Sequence, residues 1–92
     1  MERKELDVYS DASSQAVIRP PGRHFPGSVI QGDSLSVLCS LARSIHQRAV
    51  ETKDQQLIDD ATELLDLLDA RQKHYEQVLA AHQIKLPYSK KP

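Results

Sequence analysis

The sequence has few of the residues that build thiolate metal sites or base-stacking nucleic acid sites: it contains one cysteine, one phenylalanine, three tyrosines and no tryptophan. One cysteine excludes an intramolecular disulfide and argues against a thiolate metal site, and both points favour a reducing cytoplasm. So few aromatic side chains offer no platform on which bases could stack, and the basic residues form no helical stripe. We therefore expect no nucleic acid partner.

A dominant charge and a long apolar run are missing as well. Twelve basic residues stand against thirteen acidic ones among 92 residues, so the overall field favours neither nucleic acid nor an anionic membrane. Nowhere does the sequence reach the roughly 18 consecutive apolar residues of a membrane span, and no apolar segment follows the charged N-terminus. The expectation is a small cytoplasmic protein without membrane contacts or a cofactor.

The first third of the chain has the pattern of short β-strands. The segment ELDVYSD alternates at Leu6, Val8 and Ser10, and the β-branched segment QAVIRP follows it. Residues 11–14 between them are turn-like, which predicts a hairpin. Prolines and glycines punctuate the residues after it and leave room for one more short strand at about residues 28–31.

From Leu35 onward the apolar period is that of α-helices. Apolar residues recur at steps of three and four over residues 34–50 and again over residues 54–82, which predicts two amphipathic helices. Thr52 or Asp54 can cap the second helix. The predicted fold class is α+β, with a small β-hairpin or three-stranded antiparallel sheet packed against two helices, the second long.

A chain of this length allows one domain, which we place at residues 1–86, with the β region at about 5–31 and a loose basic tail at 87–92. Its second helix would be roughly 42 Å long and the first roughly 25 Å, so neither can cover the other fully. We expect the stretch from Leu57 to Leu68 to be covered within the chain.

The apolar pattern of the second helix is interrupted near Arg71 and Gln72. Beyond that point Tyr75, Val78 and Leu79 still need cover, which the hairpin, a bend in the helix or another chain could supply. These three residues form a candidate partner interface.

The letters Gly32-Asp33-Ser34-Leu35 raise the possibility of a serine hydrolase, because GDSL names such a family and its serine is the nucleophile. A serine needs a histidine to take its proton and a carboxylate to hold that histidine. No aspartate here has a histidine three positions on, and only His24 could approach Ser34. The favoured interpretation is therefore structural: Gly32 permits a sharp turn, and Asp33 or Ser34 accepts a hydrogen bond from an opening amide of the helix.

The loop before this helix is the better binding candidate. Arg19, Arg23 and His24 are donors set among prolines and glycines, and they precede a helix N-terminus that could favour a phosphate or carboxylate. The alternative is that both arginines pair with acidic residues of the helices. With the residues that lead into the helix, the candidate binding set is Arg19, Arg23, His24, Gln31, Asp33 and Ser34.

Other polar residues suggest no catalytic or metal site. His74 and His82 are eight residues apart on the second helix, too far to share one metal ion. Cys39 lies at the edge of the apolar stripe, where we expect a buried and inert thiol. The acidic residues of the second helix are either a solvated face or a surface for a basic partner.

The segment VIRPPGRHFPGSVIQGDSLSVL resembles a family of small uncharacterised bacterial proteins marked by an R-x-PGR-x-FPG-x-x-IQGDSL pattern. The likeness is strongest from Arg19 to Leu35 and is general, two amphipathic helices, after that. The matching positions are Arg19, Pro21, Gly22, Arg23, Phe25, Pro26, Gly27, Ile30, Gln31, Gly32, Asp33, Ser34 and Leu35. The resemblance implies a bacterial cytoplasmic protein and brings no reaction, ligand or partner with it.

Two functions follow as hypotheses. The leading one is a non-catalytic protein that acts through protein contacts, such as a regulator or an immunity-type protein, with a protein partner or a second copy of itself. The alternative is a sensor that binds a small anionic molecule or nucleotide through the loop before the first helix.

Overall fold

A computed structural model describes residues 1–11 and 15–89 of the chain. It contains three strands and two helices, which confirms the predicted α+β class. The elements in chain order are β1 (Asp7–Ser10), β2 (Val17–Arg19), β3 (Gly27–Ser28), α1 (Gly32–Thr52) and α2 (Gln55–Ala81). They fall into two compact units, the strands in Met1–Gln31 and the helices in Gly32–Pro92.

The strands form an antiparallel sheet in the order β1-β2-β3. Val8 pairs with Ile18 and Ser10 pairs with Val17, so the residue between Val8 and Ser10 is an extra one and makes a β-bulge. The third strand is earlier and shorter than predicted, because only the amide of Val29, which donates to the Ala16 carbonyl at 2.8 Å, continues the pairing beyond it. Most of the predicted turn at 11–14 lies outside the described residues.

The described part of the sheet unit contributes no fully buried side chain. Val17 and Ile18 on the central strand are half-buried, whereas Val8, Tyr9 and Phe25 are exposed. A three-stranded sheet gains most of its stability from an apolar face that is covered. The core of the described protein therefore lies in the helical unit.

Helix α1 begins at Gly32, two residues before the predicted start, and ends two residues after the predicted end. The Asp33 carboxylate accepts a hydrogen bond from the Ser34 amide at 2.8 Å, so Asp33 binds an opening amide as the sequence predicted. Gly32 itself is the first helical residue and is buried, and it lacks the positive φ found at Gly22. The prediction that Gly32 permits a sharp turn is therefore wrong, and what it provides is space.

Two residues connect the helices. Lys53 adopts the left-handed conformation, with φ at 59°. Asp54 is the N-cap of α2, and its carboxylate accepts a hydrogen bond from the Leu57 amide at 3.2 Å. Thr52 also takes part, since its hydroxyl donates to the Ala49 carbonyl at 2.6 Å and accepts from the Asp54 amide at 3.1 Å. Both residues that the sequence proposed as caps thus bind backbone groups at this connection.

The two helices pack antiparallel through small side chains. The buried apolar residues of the pair are Leu35, Cys39, Ala42, Ala49 and Ala61. The Cys39 thiol is fully buried and donates to the Leu68 carbonyl at 3.5 Å, so α1 approaches the backbone of α2 closely there. Burial raises the pKa of this thiol above its ordinary value. The buried thiol agrees with the sequence prediction.

The end of α2 is also anchored. Gln83 has φ at 59°, and the Ile84 amide donates to the Leu79 carbonyl at 2.9 Å, the long hydrogen bond of a Schellman motif. The chain then returns along the helix, where the Tyr88 hydroxyl donates to Glu76 Oε2 at 2.8 Å. Burial, followed by this hydrogen bond, raises the pKa of Tyr88. The predicted loose tail is therefore held at Tyr88, and its last residues, 90–92, lie outside the described part.

Candidate functional site

The loop that the sequence singled out borders a polar cleft in the sheet unit. The cleft has a volume of about 380 Å³ and is lined by Glu5, Leu6, Asp7, Arg19, Pro20, Pro21, Gly22 and Arg23. A β-turn shapes one wall: the Arg23 amide donates to the Pro20 carbonyl at 3.2 Å, and Gly22 has φ at 80°. Proline and then glycine at the two central positions are typical of a type II turn, which needs the positive φ.

One of the two predicted arginines is already paired. Both Nε and Nη2 of Arg19 donate to Oδ2 of Asp7, the first at 3.0 Å, and these two residues are direct partners across β1 and β2. The hydrogen bond that Arg19 donates to Asp7 is the main reason that the pKa of Arg19 is raised. The sequence offered a ligand or an acidic residue of the helices as the partner of Arg19, and both differ from the strand residue found. The strand register, which the sequence does not reveal, decides this.

The remaining predicted binding residues are divided between the two units. Arg23 lines the cleft and is exposed, whereas His24 lies edge-on against Phe25 with their ring centroids 4.6 Å apart. Gln31 is exposed at the end of the sheet unit. Asp33 and Ser34 are exposed in the first turn of α1 and belong to the helical unit.

Ser34 has no activating histidine in the helical unit. Among the described residues no histidine is hydrogen-bonded to its hydroxyl, and its amide is the donor to Asp33. His46 lies twelve residues further along the same helix, which is about 18 Å at 1.5 Å per residue. Proton transfer to a general base needs a distance of about 3 Å.

The described histidine, cysteine, aspartate and glutamate side chains form no group of three that could hold a metal ion. Three of the acidic residues of α2 lie on its outer side. Asp59, Glu63 and Asp66 border a shallow depression of about 390 Å³ together with Thr62, Leu67 and Ala70. A groove along a single helix with three carboxylates is a solvated surface or a surface for a basic group.

The helical unit has a larger apolar surface than the sequence predicted. Nine large apolar side chains on the two helices are exposed, and the leucines and the isoleucine among them, six in all, have exposed fractions from 39% at Leu38 to 62% at Leu67. We call this surface the open flank, and its members are Leu38, Leu41, Ile45, Leu57, Leu64 and Leu67.

Helical geometry puts these six residues on one side of the helix pair. A helix turns about 100° per residue, so the three residues of α1 lie within an arc of about 60° and the three of α2 within about 80°. Arg43 and Asp69, which contact each other at 2.9 Å, lie roughly 160–170° around their helices from the middle of those arcs. Because that ion pair spans one side of the pair, the apolar arcs lie together on the other.

Polar contacts close the opposite side. Arg43 Nη2 donates to Asp69 Oδ1 at 2.9 Å and to Gln72 Oε1 at 3.0 Å. Gln72 is only 9% exposed, so it continues the interface between the helices. The apolar pattern is thus interrupted at Gln72 as the sequence predicted, but the packing of the helices continues there, because a buried amide with a charged donor takes the place of an apolar side chain.

The residues predicted as a partner interface are mostly covered. Tyr75 and Leu79 are half-buried, and Val78 is 39% exposed. Leu57 and Leu64, which the sequence assigned to cover within the chain, are 42% and 46% exposed. The sequence contained a signal for this difference between predicted and observed cover. The alanines at positions 42, 49 and 61 favour close approach of the helices, so the leucines lie to the side of the contact.

The structure defines a small α+β protein in which an antiparallel three-stranded sheet precedes a hairpin of two helices with one apolar side. The chain belongs to a family of unknown function, DUF6959, whose model matches residues 1–88. No curated protein and no solved structure matches the chain. Among the described residues, neither helix combines the length and the apolar character that crossing a membrane requires.

Proposed function

We propose that this chain is a non-catalytic bacterial protein of the cytoplasm that acts by binding another protein chain through the open flank, as a regulator or an immunity-type protein does. The observation that carries the proposal is the concentration of six exposed large apolar side chains on one side of the helix pair. Contiguous apolar surface of this kind is typical of protein interaction sites, whereas single exposed leucines are not.

The composition of the core supports a surface that is completed on binding. Of the five buried apolar residues of the helix pair, three are alanines and one is a cysteine, so Leu35 is the one large apolar side chain that α1 and α2 bury fully. Burying one leucine side chain fully stabilises a protein by roughly 1.5–3 kcal/mol. The leucines that would supply this stabilisation lie on the open flank, where a partner would bury them.

The absence of catalysis is part of the proposal. Support comes from Ser34, which opens α1 and lies about 18 Å along the helix from His46. Hydrolysis of a chromogenic ester by the purified chain, lost on Ser34→Ala, would contradict this part.

The binding proposal is tested by affinity capture from the native host, followed by titration of each purified candidate against the full-length chain. Leu41→Glu and Leu64→Glu place carboxylates in the open flank, and each should weaken binding at least about tenfold because a buried carboxylate needs a compensating partner. Val50→Glu is the matched control, since Val50 is 49% exposed and lies outside the open flank. Equal binding by all three variants would contradict the role of this surface.

Anion binding by the cleft is a second candidate, supported by the exposed side chain of Arg23 at its edge. Glu5 and Asp7 line the same cleft and Arg19 is engaged with Asp7, so Arg23 alone would carry the attraction. The test is a thermal melt of the full chain with inorganic phosphate and with a nucleoside triphosphate. A rise in Tm that Arg23→Ala abolishes supports this candidate, and no rise with either compound rejects it.

A further inference from the structure

We infer that the chain which covers the open flank is a second copy of this one, so that two helix hairpins form an antiparallel four-helix bundle with a two-fold axis. This inference rests on the proposed function, because it names the partner of the same surface. The height of each residue along the helix pair and two charged residues of the open flank point to this partner.

Two contacts fix which residues of α1 and α2 lie at the same height along the helix pair. Cys39 lies opposite Leu68, since its thiol reaches the Leu68 carbonyl. Gly32 lies opposite Tyr75, whose ring occupies the space where a side chain at Gly32 would be. In this register the midpoint between Leu38 and Ile45 on α1 is level with the midpoint between Leu64 and Leu67 on α2.

A two-fold axis at that common height makes the open flank complementary to itself. With the two hairpins running in opposite directions, α1 packs on α1 and α2 packs on α2 of the second copy. Leu38 then lies opposite Ile45 of the second copy, and Leu64 lies opposite its Leu67. A two-fold interface requires such reciprocal pairs, because the same patch is used by both chains.

Two charged residues that lie within the α2 part of the open flank obey the same symmetry. Asp60 and Arg71 are exposed residues of α2 on the same side of the helix pair, and they are equally far from the proposed axis. In the dimer each Asp60 therefore faces Arg71 of the second copy. Asp60 accepts a hydrogen bond only from Gln56, at 3.0 Å, and Arg71 has no ion pair within the described residues, so both are available.

The size of the surface is adequate for a stable dimer. Helix α1 has 21 residues and is therefore about 31 Å long, and two helices side by side are about 20 Å wide. Their side thus projects an area of about 600 Å², and the accessible area is larger because side chains protrude. A specific interface removes about 800 Å² from each partner.

The first test is the mass of the full chain in solution, measured by sedimentation equilibrium from about 1 to 200 μM. At the upper concentrations we expect a mass of twice the 10.4 kDa of one chain. Leu41→Glu and Leu64→Glu should each give a monomer that keeps its helical circular dichroism, and Val50→Glu should remain a dimer.

An exchange of charges between Asp60 and Arg71 tests the antiparallel orientation of the two copies without disturbing the fold. Asp60→Arg places an arginine opposite Arg71, and Arg71→Asp places an aspartate opposite Asp60, so each alone should raise the dissociation constant of the dimer roughly three- to tenfold. The double variant Asp60→Arg/Arg71→Asp restores opposite charges and should return the constant to near its original value. If the effects of the two substitutions on the dissociation constant simply accumulate in the double variant, the antiparallel arrangement is wrong.

The remaining outcomes separate this inference from the proposed function. A native chain that is monomeric at 200 μM overturns the dimer, while binding of another protein that Leu41→Glu and Leu64→Glu abolish would keep the open flank as a binding surface. A dimer that persists in both glutamate variants overturns the role of the open flank and with it both proposals.

Discussion

The ring of Tyr75 on α2 lies directly over the backbone of Gly32, the first residue of α1. A Cβ atom at Gly32 would overlap the Oη and Cζ atoms of Tyr75 and would lie 2.6 Å from its Cε2 atom. Gly32 is buried at this contact and Tyr75 is half-buried. Gly32, the first residue of the GDSL segment, therefore lies where the start of α1 contacts the last part of α2.

Substitution Gly32→Ala should destabilise the protein by about 1–3 kcal/mol, because the Tyr75 ring must leave its position to make room for a methyl group. Urea unfolding followed by circular dichroism measures this change in the free energy of unfolding. In a Tyr75→Ala background the space is open, so the same substitution should be neutral or stabilising by up to about 1 kcal/mol, since alanine is the better helix former. An equal loss in both backgrounds would show that the ring is not the cause.

Removal of the Arg43 guanidinium should expose the cost of burying Gln72. Arg43→Met keeps the aliphatic stem but takes away the donor to Gln72 Oε1, and we expect a loss of about 1–2 kcal/mol in the free energy of unfolding. Asp69→Asn is the control, because it removes the charge of the part-exposed ion pair and should cost less than about 1 kcal/mol. Adding Gln72→Leu to Arg43→Met should recover much of the loss, and no recovery would contradict this role for Gln72.

The left-handed backbone of Lys53 predicts a stabilising substitution. Lys53→Gly should raise the free energy of unfolding by about 0.5–1 kcal/mol, because glycine adopts positive φ without the steric cost of a Cβ atom. Lys53→Ala removes the same side chain and keeps that cost, so the difference between the two variants isolates the backbone effect. A higher urea midpoint for the glycine variant, with unchanged slope, is the expected measurement. Identical midpoints would contradict the left-handed conformation.

The buried thiol of Cys39 should make stability depend on alkaline pH. Burial raises its pKa in the folded state above that in the unfolded chain, so the neutral form is favoured on folding. This contribution is complete below the unfolded thiol pKa of about 8.5 and is lost as pH rises through the folded value. The free energy of unfolding should therefore fall above about pH 8.5 more steeply in the native chain than in Cys39→Ala. Parallel pH profiles would contradict the prediction, and rapid reaction of the folded thiol with a disulfide reagent would show that it is not buried.

The sequence predicted the helices and strands well because their periods are local properties. Apolar residues at steps of three and four gave both helices to within two residues at each end, and Asp54 and Asp33 bind opening amides as predicted. The alternation at Leu6 and Val8 located β1. These features depend on neighbours in sequence.

The contacts that the sequence did not reveal all depend on register between elements. Asp7 meets Arg19 only because β1 and β2 pair at those positions. The buried amide of Gln72 is satisfied only because Arg43 of α1 reaches it. The apolar arc of each helix is wider than the contact with one other helix, so periodicity alone could not tell which part of the arc would be covered and which would become the open flank.

The connection of only two residues between α1 and α2 has a consequence for the rate of folding. The residues that meet first, around Ala49 and Asp54, are close in sequence, so their contacts require the closure of only a very short loop. Structures dominated by such local contacts fold within microseconds to milliseconds. We expect the contacts between the helices to form first beside Lys53 and then progressively further from it, with the contact between Gly32 and Tyr75 formed last.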